Sequence, residues 1–307
     1  MKKALSLITS IIFILTTFAA CNNENSNKES TAISITDDLE RTINISSANK
    51  VVAASGSLAE IWLLAGGSLL GATDDAFDGR FRISQDTKNI GKLHQINLET
   101  ILEINPDLVI LSAELSSQTK MKSALEGADI NALYLSIESF DDYLSALKKL
   151  TEITRREDLY KKNGTDLQKT IAQIISEVPK NQSPEILLLR ANSTKLEARN
   201  SETLAGIILK DMGCKNIADS DNNILENLSI ENIIKSNPDY IFAILQGEDE
   251  QKARNVLKTT LQESPIWNNL DAVKNNKFII LPKELFHQKP NARWHESYKM
   301  IWEILYG

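Results

Sequence analysis

The sequence predicts an α/β protein of two lobes, each built on a parallel-rich central sheet, joined by a single long helix. Three observations carry this. The chain has 307 residues, long for one domain and comfortable for two. One motif occurs twice, 132 residues apart. Between the copies, Arg155–Val178 places Leu167, Ile171, Ile174, Ile175 and Val178 on one helical stripe.

The repeat is the most informative of the three. Ile96–Leu111 reads INLETILEINPDLVIL and Leu228–Ala243 reads LSIENIIKSNPDYIFA. Without gaps they share Glu99/Glu231, Ile101/Ile233, Asn105/Asn237, Pro106/Pro238 and Asp107/Asp239. Each copy parses alike: Asn97 or Ser229 as N-cap, a short helix, an Asn-Pro-Asp turn, then a β-branched or aromatic buried strand. A period this long excludes a solenoid and means two related lobes.

Other segments fit that frame. Val51–Ala54 and Ala132–Ile137 read as strands of the first lobe; Glu185–Leu189, Tyr240–Leu245 and Phe278–Leu281 read as strands of the second. Ser57-Leu58-Ala59-Glu60 reads as a capping box opening a helix. The joining helix is weakened near Asn163-Gly164, where an interior Gly costs about 1 kcal/mol. With one crossing between them, the lobes are expected to hinge little.

Composition narrows the function. Apolar residues make up 42% and charged residues 24%, which excludes wholesale disorder and a multi-pass membrane protein. With 34 Lys plus Arg against 41 Asp plus Glu and no basic block, nucleic acid is not an expected partner. Two cysteines make no disulfide framework and no Cys/His ligand spacing, and Cys214 lies in an apolar stretch as a buried thiol would.

The N-terminus carries an export signal. Met1-Lys2-Lys3 is a basic start, Ala4–Ala20 is apolar and too short for a comfortable transmembrane span, and Phe18-Ala19-Ala20-Cys21 resembles a bacterial lipobox, the alternative being an ordinary secretory signal with an incidental cysteine. Asn22–Ser30 is polar, as a tether would be. The expected organisation is a signal peptide over 1–20, a lipidated (palmitoylated) Cys21 opening a tether over 21–32, a first lobe over 33–154, a joining helix over 155–178 and a second lobe over 179–307.

The order of a lipobox, a Thr-Asp-containing strand over Ile35–Arg41, VVAASGSLAEIWLLAGG, NLETILEINPDLVIL, a mid-chain helix, LSIENIIKSNPDYIF and WNNLDAVKNNKFIILP resembles the periplasmic-binding-protein family of ABC importers. More narrowly, it is similar to the branch that binds ferric siderophores, haem and cobalamin. The resemblance covers the chain from about Ile33 to the C-terminus. It implies a ligand cleft between the lobes, a monomer anchored by lipid at the extracytoplasmic face of the bacterial membrane, and an ABC permease dimer as partner. It also implies that Glu99 and Glu231 pair with permease arginines. Equivalent carboxylates on two pseudo-symmetric lobes suit a two-fold partner. A carboxylate in a helix first turn also stabilises the dipole by about 0.3–1 kcal/mol, which explains one acid but does not require the same acid twice.

Ligand contacts are expected on loops at the strand ends. The first lobe offers Ser57 and, within Asp75–Ser84, Arg80 and Arg82; if that loop is extended, only one of the two readily points inward. The second offers Arg190, Arg199 and the stretch Phe286–Tyr298, which holds His287, Lys289, Arg293 and Trp294. Five of the nine arginines fall in these places, which points to an anionic ligand, since guanidiniums both stack on rings and bond oxyanions. Trp294, Tyr298 and Ile301 also share a helical spacing that reads as core.

The three histidines, His94, His287 and His295, do not make a pattern for bare zinc or manganese, and no resident metal or cofactor is expected. For haem, His287 and then Tyr298 are the axial candidates. The expected cargo is a ferric siderophore, with haem or a corrinoid as alternatives. From another class, an extracytoplasmic lipoprotein hydrolase would use Ser57 with His287 or His295 as base. Against it, Ser55-Gly56-Ser57 lacks the flanking glycines of a nucleophile elbow, and no P-loop or metal-hydrolase motif is present. The expectation is a binding protein, not an enzyme.

Overall fold

Short continuous apolar runs build two five-stranded sheets in the computed structural model, which describes residues 32–247, 249–262 and 265–307. The signal peptide, Cys21 and the tether up to Thr31 lie outside the described residues. In the first sheet Val51–Ala53 is central. On one side lie Gly71–Ala72 and then Lys88–Asn89; on the other, Leu108–Ser112 and then Asn131–Leu135. Every pairing is parallel. In the second sheet Glu185–Ala191 and Phe278–Leu281 flank Tyr240–Leu245, again in parallel. Leu196–Arg199 adds an antiparallel edge to Glu185–Ala191, and Lys215–Asn216 pairs in parallel with the start of that strand.

Because strand side chains alternate, each sheet feeds two cores. Leu108 and Ile110, with Ile186, Leu188, Phe242 and Ile244, join one apolar cluster that runs from the first sheet to the second. Val109 and Leu111 pack on the outer side of the first sheet, and Leu187, Leu189, Ile241 and Ala243 on the outer side of the second. The shared cluster includes Leu167 and Ile171 of the joining helix and Trp294, Tyr298 and Ile301 of the last helix, Trp294–Tyr306.

The repeat folds twice in the same way. Asn97 and Ser229 cap helices Leu98–Ile104 and Ile230–Ser236, and Asn105 (φ 49°) and Asn237 (φ 44°) end them in the left-handed region that asparagine tolerates. The shared aspartate then ties each motif to the neighbouring strand. Asp107 Oδ2 accepts from Ser47 Oγ at 2.8 Å and from the N–H groups of Asn49 and Lys50 at 3.0 and 3.1 Å. Asp239 Oδ2 accepts from the Glu185 N–H at 2.9 Å.

Four details differ from the sequence expectation. The joining helix starts at Glu157, because Arg155 (φ 57°) closes a preceding helix, Phe140–Thr154, which a Ser139/Asp142 capping box opens. Its run to Ser176 is interrupted by a π-helical turn over Lys161–Thr165, where Asn163 donates to the Leu64 carbonyl at 2.9 Å and accepts from Tyr143 Oη at 2.8 Å. The strand expected over Ile35–Arg41 stops at Thr36. There the Asp37 carboxylate accepts from the N–H groups of Leu39 and Arg41, both at 3.0 Å, and turns the chain into a hairpin with Thr42–Ile45. Finally, the Ser57/Glu60 capping box does not form. Ser55 caps the helix Gly56–Leu64 instead, and Asp75 Oδ2 accepts from the Gly56 N–H at 2.8 Å. Glu60 is left for another role.

Candidate ligand cleft

A cavity of about 510 Å³ opens where the C-terminal ends of strands from both sheets converge. The first sheet contributes Glu114, just beyond Leu108–Ser112, and Glu138, just beyond Asn131–Leu135. The second contributes Leu188, Arg190, Arg199 and Ile244 from its strands, and Phe286, His287 and Lys289 from the segment after Phe278–Leu281. Asn200, Glu202 and Thr203 complete it, leading into helix Leu204–Asp211. Gly206 makes that approach possible, since a Cβ there would stand 2.3 Å from the Asn200 carbonyl oxygen.

The antiparallel edge strand organises the charges. Its register sets Glu197 opposite Arg190 and Arg199 opposite Leu188. The Arg190 Nε donates to Glu197 Oε1 at 2.9 Å, and its Nη2 makes a further close bond to the same oxygen. Lys195 reaches Glu197 Oε2 at 2.6 Å, and Arg199 Nη1 approaches Oε1 at 3.4 Å. Burial alone would raise the Glu197 carboxyl, but bonds to Lys195 and Arg190 outweigh it and hold the group below its ordinary range. Arg199 is shifted down by burial and by the charge of Arg190, and its Nε is buried without a hydrogen-bond partner among the described residues. His287 is pushed down to about 4 by burial and by Arg190, Lys289 and other nearby cations, so at neutral pH it is an uncharged imidazole.

Four of the expected contacts are therefore brought together: Arg190, Arg199, His287 and Lys289. Five are not. Ser57 faces Ser55, with the two hydroxyls 3.2 Å apart and, among the described residues, no histidine bonded to either. Arg80 is held by Asp78 (2.5 Å), the Asp75 carbonyl (3.1 Å) and Gln288 Oε1 (3.0 Å), while Arg82 is exposed. Arg293 lies close enough to Glu60 for their charges to interact. Trp294 is fully buried, its ring edge-on to Phe140 at 5.8 Å, because helical spacing turns it into the shared core. Tyr298, the second haem candidate, is also buried and donates to Asp211 Oδ2 at 2.7 Å.

Sequence reasoning missed Glu114 and Glu138. Both follow strand ends, the position that also marks Arg190, but a carboxylate there carries no pattern that sets it apart from the chain's many surface acids. Beside the arginines that pointed to an anionic ligand stand carboxylates: Arg190, Arg199 and Lys289 share the lining with Glu114, Glu138 and Glu202. Glu99 and Glu231 are exposed in the first turns of equivalent helices and do not line the cavity.

The segment after His287 also bridges the sheets. Lys289 Nζ lies 3.4 Å from Glu114 Oε2, and Gln288 accepts from Arg80. Asn291 Nδ2 donates to the Ser57 carbonyl at 3.0 Å and to Glu60 Oε2 at 2.8 Å, while its own Oδ1 is buried without a donor. Burial raises the Glu60 carboxyl above its ordinary range, against the lowering influence of Asn291, Arg293 and Arg80.

The two α/β sheets thus flank a charged cavity at their strand ends, where open α/β folds hold small ligands. The chain belongs to the periplasmic binding protein family, a family of solute-binding proteins whose model matches residues 51–285. It is 27% identical over 197 residues to the Fe(3+)-citrate-binding protein YfmC of Bacillus subtilis, a match spanning 63% of this chain and 59% of that protein. It is 24% identical over 299 residues to the iron-uptake system-binding protein of the same organism, covering 91% of this chain and 90% of the relative. In fold it is similar to Staphylococcus aureus SirA complexed with staphyloferrin B, with a TM-score of 0.67 and 20% identity, covering 89% of this chain and 98% of the other.

Proposed function

We propose that this chain is the solute receptor of an ABC importer and that it captures a ferric chelate for delivery to a permease dimer. The observation that carries the reading is Arg199, a guanidinium with an unpartnered buried Nε, lining a cavity between the two sheets. The Arg199 side chain stays about 32% exposed, so an oxyanion of a chelate could meet its guanidinium from the cavity, and charge-assisted hydrogen bonds are worth about 1.5–3 kcal/mol each. The iron-binding relatives support the same cargo.

In this reading residues 1–20 are a cleaved signal peptide and the chain is held by lipid on Cys21 at the extracytoplasmic face. Residues 33–154 and 179–307 form the lobes on either side of the 155–178 connection. The receptor works as a monomer without catalytic turnover and carries no resident cofactor. Glu99 and Glu231 dock the permease. Titrating the mature protein with ferric citrate, a ferric hydroxamate, a ferric catecholate, haemin and cobalamin, followed by Trp fluorescence, tests the cargo. Saturable stoichiometric binding of a ferric chelate is expected; binding of none of the iron complexes would refute the reading.

One observation favours haem as a second cargo. His287 lines the cavity and is neutral, the state in which an imidazole ligates iron. A shifted haemin absorption band that His287→Ala abolishes would select it.

A further inference from the structure

Once ion pairs are set aside, the cavity keeps one weakly paired cation, Arg199, on the second-sheet wall and two carboxylates without a cationic partner among the described residues: Glu138 on the first-sheet wall and Glu202, which accepts from Asn200 Nδ2 at 3.3 Å, on the second. On the second-sheet wall Arg190 is committed to Glu197 through two of its nitrogens. Arg199 touches Glu197 only at 3.4 Å and keeps its buried Nε unpartnered. On the first-sheet wall Glu114 is committed as well. Its Oε1 accepts from Ser136 Oγ at 3.1 Å and the Ile137 N–H at 2.8 Å, and its Oε2 faces Lys289. Glu138 differs: among the described residues no side chain pairs with its carboxylate, although it lines the same cavity.

A ligand that is anionic on every face would satisfy Arg199 and bring its remaining charge against Glu138, in a cleft where water is displaced and like charges repel. A ligand that is neutral throughout leaves both groups desolvated without a partner. Only a ligand carrying both signs matches both walls. We propose that the solute is bipolar: a ferric chelate whose anionic face meets Arg199 and whose ammonium or other cationic arm meets Glu138. This rests on the receptor reading above and adds the charge pattern that the cargo must have.

The test uses one catecholate chelator carrying a free primary amine, and the same chelator with that amine acetylated, each loaded with ferric iron. Binding to the mature protein is followed by Trp fluorescence at low salt. Wild-type protein is expected to bind the amine form about fivefold to tenfold more tightly. Glu138→Gln, a change at an exposed position, is expected to bind the two forms equally, and Arg199→Gln to weaken both. Equal binding of the two forms by wild type, or a preference that survives Glu138→Gln, overturns the bipolar assignment while leaving the receptor reading intact. Absence of binding by any ferric chelate, a neutral hydroxamate included, overturns both.

Discussion

The two sheets share a repeated motif and differ at one edge. The first sheet extends past its central strand through Gly71–Ala72 and Lys88–Asn89, both parallel and both only two residues long. The second turns back after Ala191 into the antiparallel strand Leu196–Arg199. That hairpin sets Arg190 beside Glu197, seven residues on, while Arg199 follows two residues along the same strand face. A parallel neighbour needs a crossover of a dozen residues or more and makes no such local charge cluster. The common motif builds the frame, and the differing edge supplies the cleft chemistry.

The comparison breaks most severely if the two copies of the motif are used together from outside. Replacing both Glu99 and Glu231 by Ala is expected to abolish uptake of the cargo by cells while leaving its affinity for the purified protein unchanged. Normal uptake by the double variant, or loss of ligand binding, would remove the docking assignment. Loss of uptake from only one of the single variants would show that the equivalence ends at the fold.

A smaller effect separates the copies in stability. Asp107 accepts three hydrogen bonds where Asp239 Oδ2 accepts one from the neighbouring strand. Asp107→Ala is expected to cost about 1–2 kcal/mol and Asp239→Ala about 0.5–1 kcal/mol, read from denaturant unfolding. Bonds to Ser47 and to the Asn49 and Lys50 N–H groups outweigh burial and hold the Asp107 carboxyl below its ordinary value. Its contribution is therefore full above the ordinary aspartate range and fades as pH falls through the lowered folded value. The cost of Asp107→Ala should shrink correspondingly toward pH 3. Equal costs for the two variants at pH 7 would show that the extra bonds contribute nothing.

An effect of similar size has the opposite sign. Glu60, from the helix after Val51–Ala53, meets Asn291 with a half-buried carboxylate whose pKa burial raises, beside an Asn Oδ1 that lacks a donor among the described residues. The fold favours the protonated acid, so this group weakens stability as pH rises from the ordinary carboxylate range through the raised folded value. Glu60→Gln brings an N–H₂ group in place of an ionising oxygen. It is expected to stabilise the protein by about 1 kcal/mol at pH 7, with the gain diminishing toward pH 4. A loss of stability at pH 7 would mean that attraction to Arg293 and Arg80 governs the site.

Much of this was legible in the chain alone. The period of 132 residues exposed the two related lobes, because helix, asparagine cap and buried strand are encoded within one short window that recurs. Strands over Tyr240–Leu245 and Phe278–Leu281 were readable to the residue, since buried parallel strands are continuous apolar runs bounded by turns. The fate of Trp294 was readable too, in the helical spacing it shares with Tyr298 and Ile301. Tertiary structure alone decided which polar residues reached the cleft. Glu60 fits a capping box by spacing, yet Ser55 took that place and Glu60 turned to a residue 231 positions away. Arg80 and Arg199 are alike in sequence, yet Asp78 and Gln288 consume the first, whereas edge-strand register delivers the second to the cavity. Local pattern fixes an element because its energetics lie within a few residues. A charged side chain settles only when every competing partner, near and far, has been brought within reach.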